Sequence, residues 1–170
     1  MRPLTLVTDT VLLMICVGSL RCAYPVSSSK YKSARHDPHA QPSSVEAISV
    51  IRVNHMTCGM IACPLYGYSL RKDGRARYQG HSNVAMIGSY VATIDSSTFL
   101  GLAKLLIARG FFRLRNSASA CDDCGYAIIT AEFDGVLNTL QFDYVHDSSA
   151  IQLAAELDSA AAHLNWTVRH

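Results

Sequence analysis

Charge is scarce in this chain, and several families of motif are missing. Only 16% of its 170 residues are charged, against 49% hydrophobic, which excludes a disordered polyelectrolyte. The formal net charge is +2, so no strong basic field marks a nucleic acid or an anionic membrane as partner. No Gly-rich phosphate loop, Gly-x-Ser-x-Gly elbow or His-Glu-x-x-His pair occurs, which removes the commonest nucleotide, hydrolase and metalloprotease signatures. No internal repeat is long enough for a solenoid. The marked apolar run, Val11 to Leu20, has ten residues. Ten residues make about 15 Å of helix, about half a bilayer core, so it suits a signal h-region and not a span.

What is present divides the chain into three parts. Residues 1–23 read as an export signal with Arg2 at its positive end, removed near Ala23. Cys16 and Cys22 leave with it, and neither follows the small residue of a lipoprotein site. Residues 24–44 hold six Ser and three Pro with no apolar period, as in a flexible linker. His36 and His39 in this stretch are solvated more readily than metal-bound. Residues 45–170 carry ten basic and eleven acidic side chains and form one nearly neutral domain. The expected location is periplasmic or extracellular, with no stable membrane span after signal removal.

Within that domain the β-branched stretch Val45 to Val53 predicts a strand. Leu65 to Lys72 and Arg75 to Met86 flank Lys72-Asp73-Gly74, a hairpin signal. A two-residue loop would pair Tyr68 with Gln79. A three-residue loop with left-handed Gly74 pairs Tyr68 with Tyr78 and Leu70 with Ala76, which keeps the apolar residues on one face. Gly88-Ser89 leads into a strand over Tyr90 to Ile94. Asp95-Ser96-Ser97 caps a helix to Arg109 with Phe99, Leu102, Ala103 and Leu106 on one side, and Gly110 stops it. Phe111 and Phe112 fold back onto the core. Cys121 to Gly125 is a turn. Tyr126 to Phe133 and Val136 to Val145 make a second hairpin about Asp134-Gly135, of undecided loop length. Asp147-Ser148-Ser149 caps a last helix with Leu153, Leu157, Ala161 and Leu164 on its apolar side. The order ββββαββα, joined by short turns, predicts an α+β domain: a mainly antiparallel sheet with two amphipathic helices on one face.

Four cysteines remain after export: Cys58, Cys63, Cys121 and Cys124. An even number in an exported chain favours disulfides, with three possible connectivities. Local pairs close tiny loops, worth about 2 kcal/mol each by chain entropy. Crossed pairs close loops of about 60 residues, worth about 4 kcal/mol. Three chemistries compete. The same four thiolates, as Cys-x4-Cys and Cys-x2-Cys, can hold zinc. His55, Met56, Cys58, Met60 and Cys63 form a soft donor set for Cu(I). Cys121-Asp122-Asp123-Cys124 has redox-pair spacing, but its two aspartates raise thiol pKa values.

Arg52, Cys58, Cys63-Pro64-Leu65-Tyr66, Asp73-Gly74, Tyr78-Gln79-Gly80, Gly110-Phe111-Phe112 and Trp166 follow one another in an order that resembles a bacterial family of exported domains of unknown function. The resemblance covers about 120 residues. It implies an exported α+β domain with a structural first Cys pair, and it brings no activity, cofactor or substrate. The chain departs from that pattern in having four residues between Cys58 and Cys63 where the family has three, and in carrying the second Cys pair.

Other clusters are weaker. Arg71, Lys72, Arg75 and Arg77 surround Asp73 at a hairpin tip and form a possible contact surface for a protein or an anionic envelope partner. His146 lies near Asp143 and Asp147, a sequence proximity that supplies no nucleophile. His81 and His163 are scattered, and Asn165-Trp166-Thr167 is a glycosylation sequon. The sequence therefore favours a non-enzymatic exported binding or envelope-associated domain that needs no cofactor. The alternative is a zinc-binding, copper-binding or thiol-active protein using the four cysteines.

Overall fold

The computed structural model describes residues 35–37, 40–56, 63–117 and 125–169. All of these belong to one unit, Lys32–His170. Cys58, Cys121, Cys124 and the N-terminal apolar run lie outside the described residues. Among the described residues no helix is long and apolar enough to cross a membrane.

The elements are β1 (Arg35–His36), β2 (Ile48–Met56), β3 (Leu65–Arg71), β4 (Arg75–Ser82), β5 (Gly88–Thr93), α1 (Ser96–Ala108), β6 (Tyr126–Phe133), β7 (Val136–Asp143), α2 (Ser148–Ala162) and β8 (Thr167–Val168). They form one sheet in the order β1-β7-β6-β2-β3-β4-β5-β8. Every pairing is antiparallel except that of β1 with β7. This is the α+β architecture expected from the alternating segments. The two edge strands of two residues each are added to it.

The first hairpin takes the three-residue loop. Tyr68 pairs with Tyr78 and Leu70 with Ala76, and Gly74 has φ +88°. The second hairpin takes the two-residue loop, since Phe133 pairs with Val136. Asp134 (φ +48°) and Gly135 (φ +72°) both adopt the left-handed conformation. A turn with both central residues left-handed matches the twist of the flanking strands, which settles the register.

Strand ends shift from the sequence expectation, and at the start of β2 and the ends of β4 and β7 the local reason is visible. Residues Val45–Ala47 form a 3-10 turn, so the first long strand starts at Ile48 and continues to Met56. β4 stops at Ser82 because Asn83 turns left-handed at φ +56°. β7 stops at Asp143, whose Oδ1 accepts from the amides of Val145 (2.8 Å) and His146 (2.7 Å) and curls the chain. In the Ser/Pro segment, β1 pairs with Val136 and Leu137, and Asn138 Nδ2 donates to the Ala40 carbonyl at 3.3 Å.

Both helices begin at aspartate caps. Asp95 accepts from the Thr98 amide at 2.8 Å and Asp147 from the Ala150 amide at 2.9 Å. Phe99, Leu102, Ala103 and Leu106 of α1 are buried, as are Leu153, Leu157 and Ala161 of α2. They cover the sheet face bearing Ile51, Val53, Leu70, Ile129 and Phe142. Gly110 (φ +69°) ends α1 and folds Phe111 and Phe112 into the same core. Arg109 Nε reaches Glu156 Oε2 at 3.2 Å and ties the two helices together. The opposite sheet face has no helix on it among the described residues, and there Arg52, Asn54, Ser69, Arg77 and Gln79 alternate along the strands with inward residues while sharing the face with Val50, Met56 and Ile128.

Candidate functional site

The helix-free face carries a hollow of about 540 Å³ over β2, β3, β4 and β5. Strand alternation brings Arg52, Asn54, Ser69, Arg77 and Gln79 to it, and the chain after β8 adds Arg169, whose amide donates to the Ser89 carbonyl at 3.0 Å. Gly67 makes the hollow possible: a Cβ there would lie 2.3 Å from Asn54 Oδ1, so only glycine lets Asn54 lie across β3. Arg52 Nη2 pairs with Glu132 Oε2 at 3.1 Å. Arg77, Arg169 and His81 are exposed at the same hollow.

The hairpin tip is organised differently from the contact surface expected there. Asp73 holds Arg71 (Nε at 3.3 Å) and Arg75 (Nε at 3.0 Å). Arg75 above all, with its backbone amide and Arg71, keeps the Asp73 carboxyl well below the usual carboxylate range. Lys72 Nζ donates to the Glu46 carbonyl. These three cations are engaged in local structure, whereas Arg77 stands two strand positions away on the open face. The expected contact surface thus divides, and Arg77 joins Arg52, noted in the sequence only as part of the family pattern, and Arg169, which the sequence did not mark.

On the helix-covered face lies a second arrangement. His55 is 4% exposed. Its Nδ1 meets the Tyr144 hydroxyl, and its Nε2 lies 3.0 Å from Asp158 Oδ1. Tyr68 Oη donates to the same oxygen at 2.9 Å. An aspartate that accepts from both places a His55 proton on Nε2, and Nδ1 faces the Tyr144 hydroxyl. Tyr66 stacks on the His55 ring at 4.3 Å. Burial first, and the Asp158 charge second, push the Tyr66, Tyr68 and Tyr144 hydroxyls up, so all three are neutral phenols at physiological pH. Asp158, His55 and Tyr144 thus form a carboxylate–imidazole–hydroxyl chain whose hydroxyl burial keeps as a neutral phenol.

Of the soft copper set considered from the sequence, His55 has its ring turned inward with both nitrogens in hydrogen bonds. Among the described residues no group of three His, Cys, Asp or Glu side chains is placed to hold a metal. Met60, like Cys58, Cys121 and Cys124, lies outside the described residues. Cys63 is described, and its sulfur lies over Gly125, where an added Cβ would approach to 3.3 Å. His146 does pair with Asp143, at 3.0 Å, but Asp143 is committed to closing the turn after β7. The backbone amides of His146 and Val145, ahead of the His146 ring, hold the Asp143 carboxyl below its ordinary value.

Asp158 is the residue that sequence reasoning passed over. The signal was present: it falls one turn from Ala154 and from Ala161 on the apolar side of α2, where a carboxylate calls for a partner. Its partner, His55, follows Ile51 and Val53 in the inward alternation of β2.

No curated protein matches the chain. A family described as a domain of unknown function, DUF6438, matches residues 50–161, from the third residue of β2 to the last turn of α2, so it spans the long strands of the sheet, both helices and the His55–Asp158 pair, and the chain belongs to that family.

Proposed function

We propose that this protein is an exported, disulfide-stabilised binding domain without enzymatic activity, whose open sheet face receives an anionic partner. The observation that carries this reading is the hollow holding Arg52, Arg77 and Arg169 together with His81, with Glu132 beside Arg52 as counter-charge. Such a concave surface concentrates one sign of charge and recruits carboxylates or phosphates at its guanidinium groups. The buried tyrosine hydroxyls on the other face, held as neutral phenols, fit binding better than acid–base work.

Export is supported by the apolar run before a Ser/Pro segment, and by the resemblance of Cys63-Pro64-Leu65-Tyr66, Asp73-Gly74 and Tyr78-Gln79-Gly80 to bacterial exported domains. A structural role for the thiols is supported by the even number of cysteines left after export, and by the Cys63 sulfur, which lies over Gly125, the residue after Cys124. Intact-mass measurement on envelope fractions should find a chain shortened by about 20–28 residues, the range of signal lengths. A full-length chain confined to the cytosol refutes export.

Binding is tested with poly-glutamate and with inorganic phosphate at low salt. The double variant Arg77→Glu, Arg169→Glu should bind at least about tenfold more weakly, and binding by the unaltered protein should fade with added salt. Equal binding by a folded double variant overturns the reading.

A further inference from the structure

A separate cavity of about 210 Å³ lies on the helix side of the sheet, between β3, β4 and the end of α2. Its walls are Tyr66, Tyr68, Tyr78 and Trp166, with Met86 at the rim and Asp158 as its one acid. The rings form a continuous set: Tyr66 and Tyr78 centroids lie 5.7 Å apart, and Tyr78 and Trp166 also 5.7 Å, tilted by 51°. The indole is fixed by its own hydrogen bond, Nε1 to the Ala161 carbonyl at 2.9 Å. Gly80 brings the Met86 backbone down onto the cavity, since a Cβ there would sit 1.8 Å from the Met86 carbonyl oxygen.

The electrostatics of this space favour a cation. Asp158 is only partly exposed, and its ion pairing among the described residues is with His55 alone. One carboxylate oxygen accepts from His55 and Tyr68, and the carboxylate lines the cavity wall. Ring faces attract cations in addition. Drug-sized ligands need about 300 Å³ or more, so a space of 210 Å³ suits a single headgroup. Mostly aromatic walls with one carboxylate match an alkylated ammonium, which has little need of hydrogen-bond acceptors. A primary amine would need several.

We propose that this aromatic cavity binds an organic quaternary or methylated ammonium group, with Asp158 as its counter-ion and Tyr66, Tyr78 and Trp166 as its cage. This site lies across the sheet from the arginine hollow and stands independently of it. Trp166 is the only tryptophan in the chain, so its fluorescence reports occupancy directly. The full chain is titrated with choline and with tetramethylammonium chloride at constant ionic strength. The uncharged isostere 3,3-dimethylbutan-1-ol serves as the control.

The expected result is a saturable Trp166 response to both cations below about 10 mM, at least about tenfold weaker for the neutral alcohol. Asp158→Asn should weaken cation binding by about tenfold or more. Because that change touches a buried network, Ala162→Leu provides a second test: Ala162 is exposed at the cavity, and a larger side chain fills it while leaving the hydrogen bonds intact. Equal affinity for the neutral alcohol, an absent response, or unaltered affinity in folded Ala162→Leu overturns the proposal.

Discussion

Truncating Tyr68 separates the buried face of the sheet from the open one. Tyr68 is 5% exposed, packs against α2, and donates from its hydroxyl to Asp158 at 2.9 Å. Two contributions follow. Removing an aromatic ring from a packed core destabilises by about 3–5 kcal/mol. A hydrogen bond to a charged group contributes about 1.5–3 kcal/mol of stability. Tyr68→Ala, which removes both, should therefore lower unfolding free energy by at least about 3–5 kcal/mol. Tyr68→Phe, which keeps the ring and leaves Asp158 with one donor fewer, should lower it by about 1.5–3 kcal/mol. Arg77 lies one position earlier than Tyr78 on β4, points to the opposite face and is exposed, so Arg77→Ala should change stability by less than about 0.5 kcal/mol. Urea titrations followed through Trp166 give the three values, with unchanged m confirming a common unfolded state. An Arg77→Ala loss equal to that of Tyr68→Ala would mean that the strand faces are exchanged. A neutral Tyr68→Phe would mean that Asp158 is not held from β3.

Two glycines should respond oppositely to alanine. Gly80→Ala meets the Met86 carbonyl and should destabilise by about 1–3 kcal/mol, while Gly101→Ala on α1, with open space around it, should stabilise by about 0.4–1 kcal/mol in thermal melts. The Ser97 and Thr98 hydroxyls and the Thr98 amide hold the Asp95 carboxyl well below its ordinary value. Its contribution is therefore complete above about pH 3.9 and lost as pH falls through the lower folded value. Asp95→Asn keeps a capping group without that titration, so the melting-temperature gap between wild type and variant should change below pH 4 and stay flat above it. The disulfide proposed at Cys63 predicts that reductant lowers stability by about 2–4 kcal/mol, and identical urea midpoints with and without reductant would refute a structural thiol.

Local chemistry made much of the fold legible. Lys72-Asp73-Gly74 and the alternation on either side predict the first register, and Asp95 and Asp147 predict both helix starts. Asp134-Gly135 did not show its loop length, because apolar pairs align in either register; the left-handed conformation at both positions decides it. β1 and β8 have no local pattern, since two residues at a sheet edge are held by a neighbouring strand and not by their own periodicity. The site was harder to read. Arg77 was marked through its neighbours at the hairpin tip, yet its companions Arg52 and Arg169 reach it only across strands. His55 and Asp158 stand 103 residues apart, and only the inward alternation of β2 and the apolar stripe of α2 place them on one side of the sheet.

The two short edge strands bear on solubility. A sheet of this width ends in rows of unsatisfied amides and carbonyls, which invite another chain to add on. At one border β1 occupies the β7 positions Val136 and Leu137, and at the other β8 covers Tyr90 and Val91 of β5. The amide of Arg169 also takes up the Ser89 carbonyl. Shortening the chain to end at Trp166 would uncover Ser89 to Val91, a β-rich stretch without charge. The trimmed protein should then self-associate through that border, in a concentration-dependent manner visible by sedimentation, while its helices and inner strands stay folded.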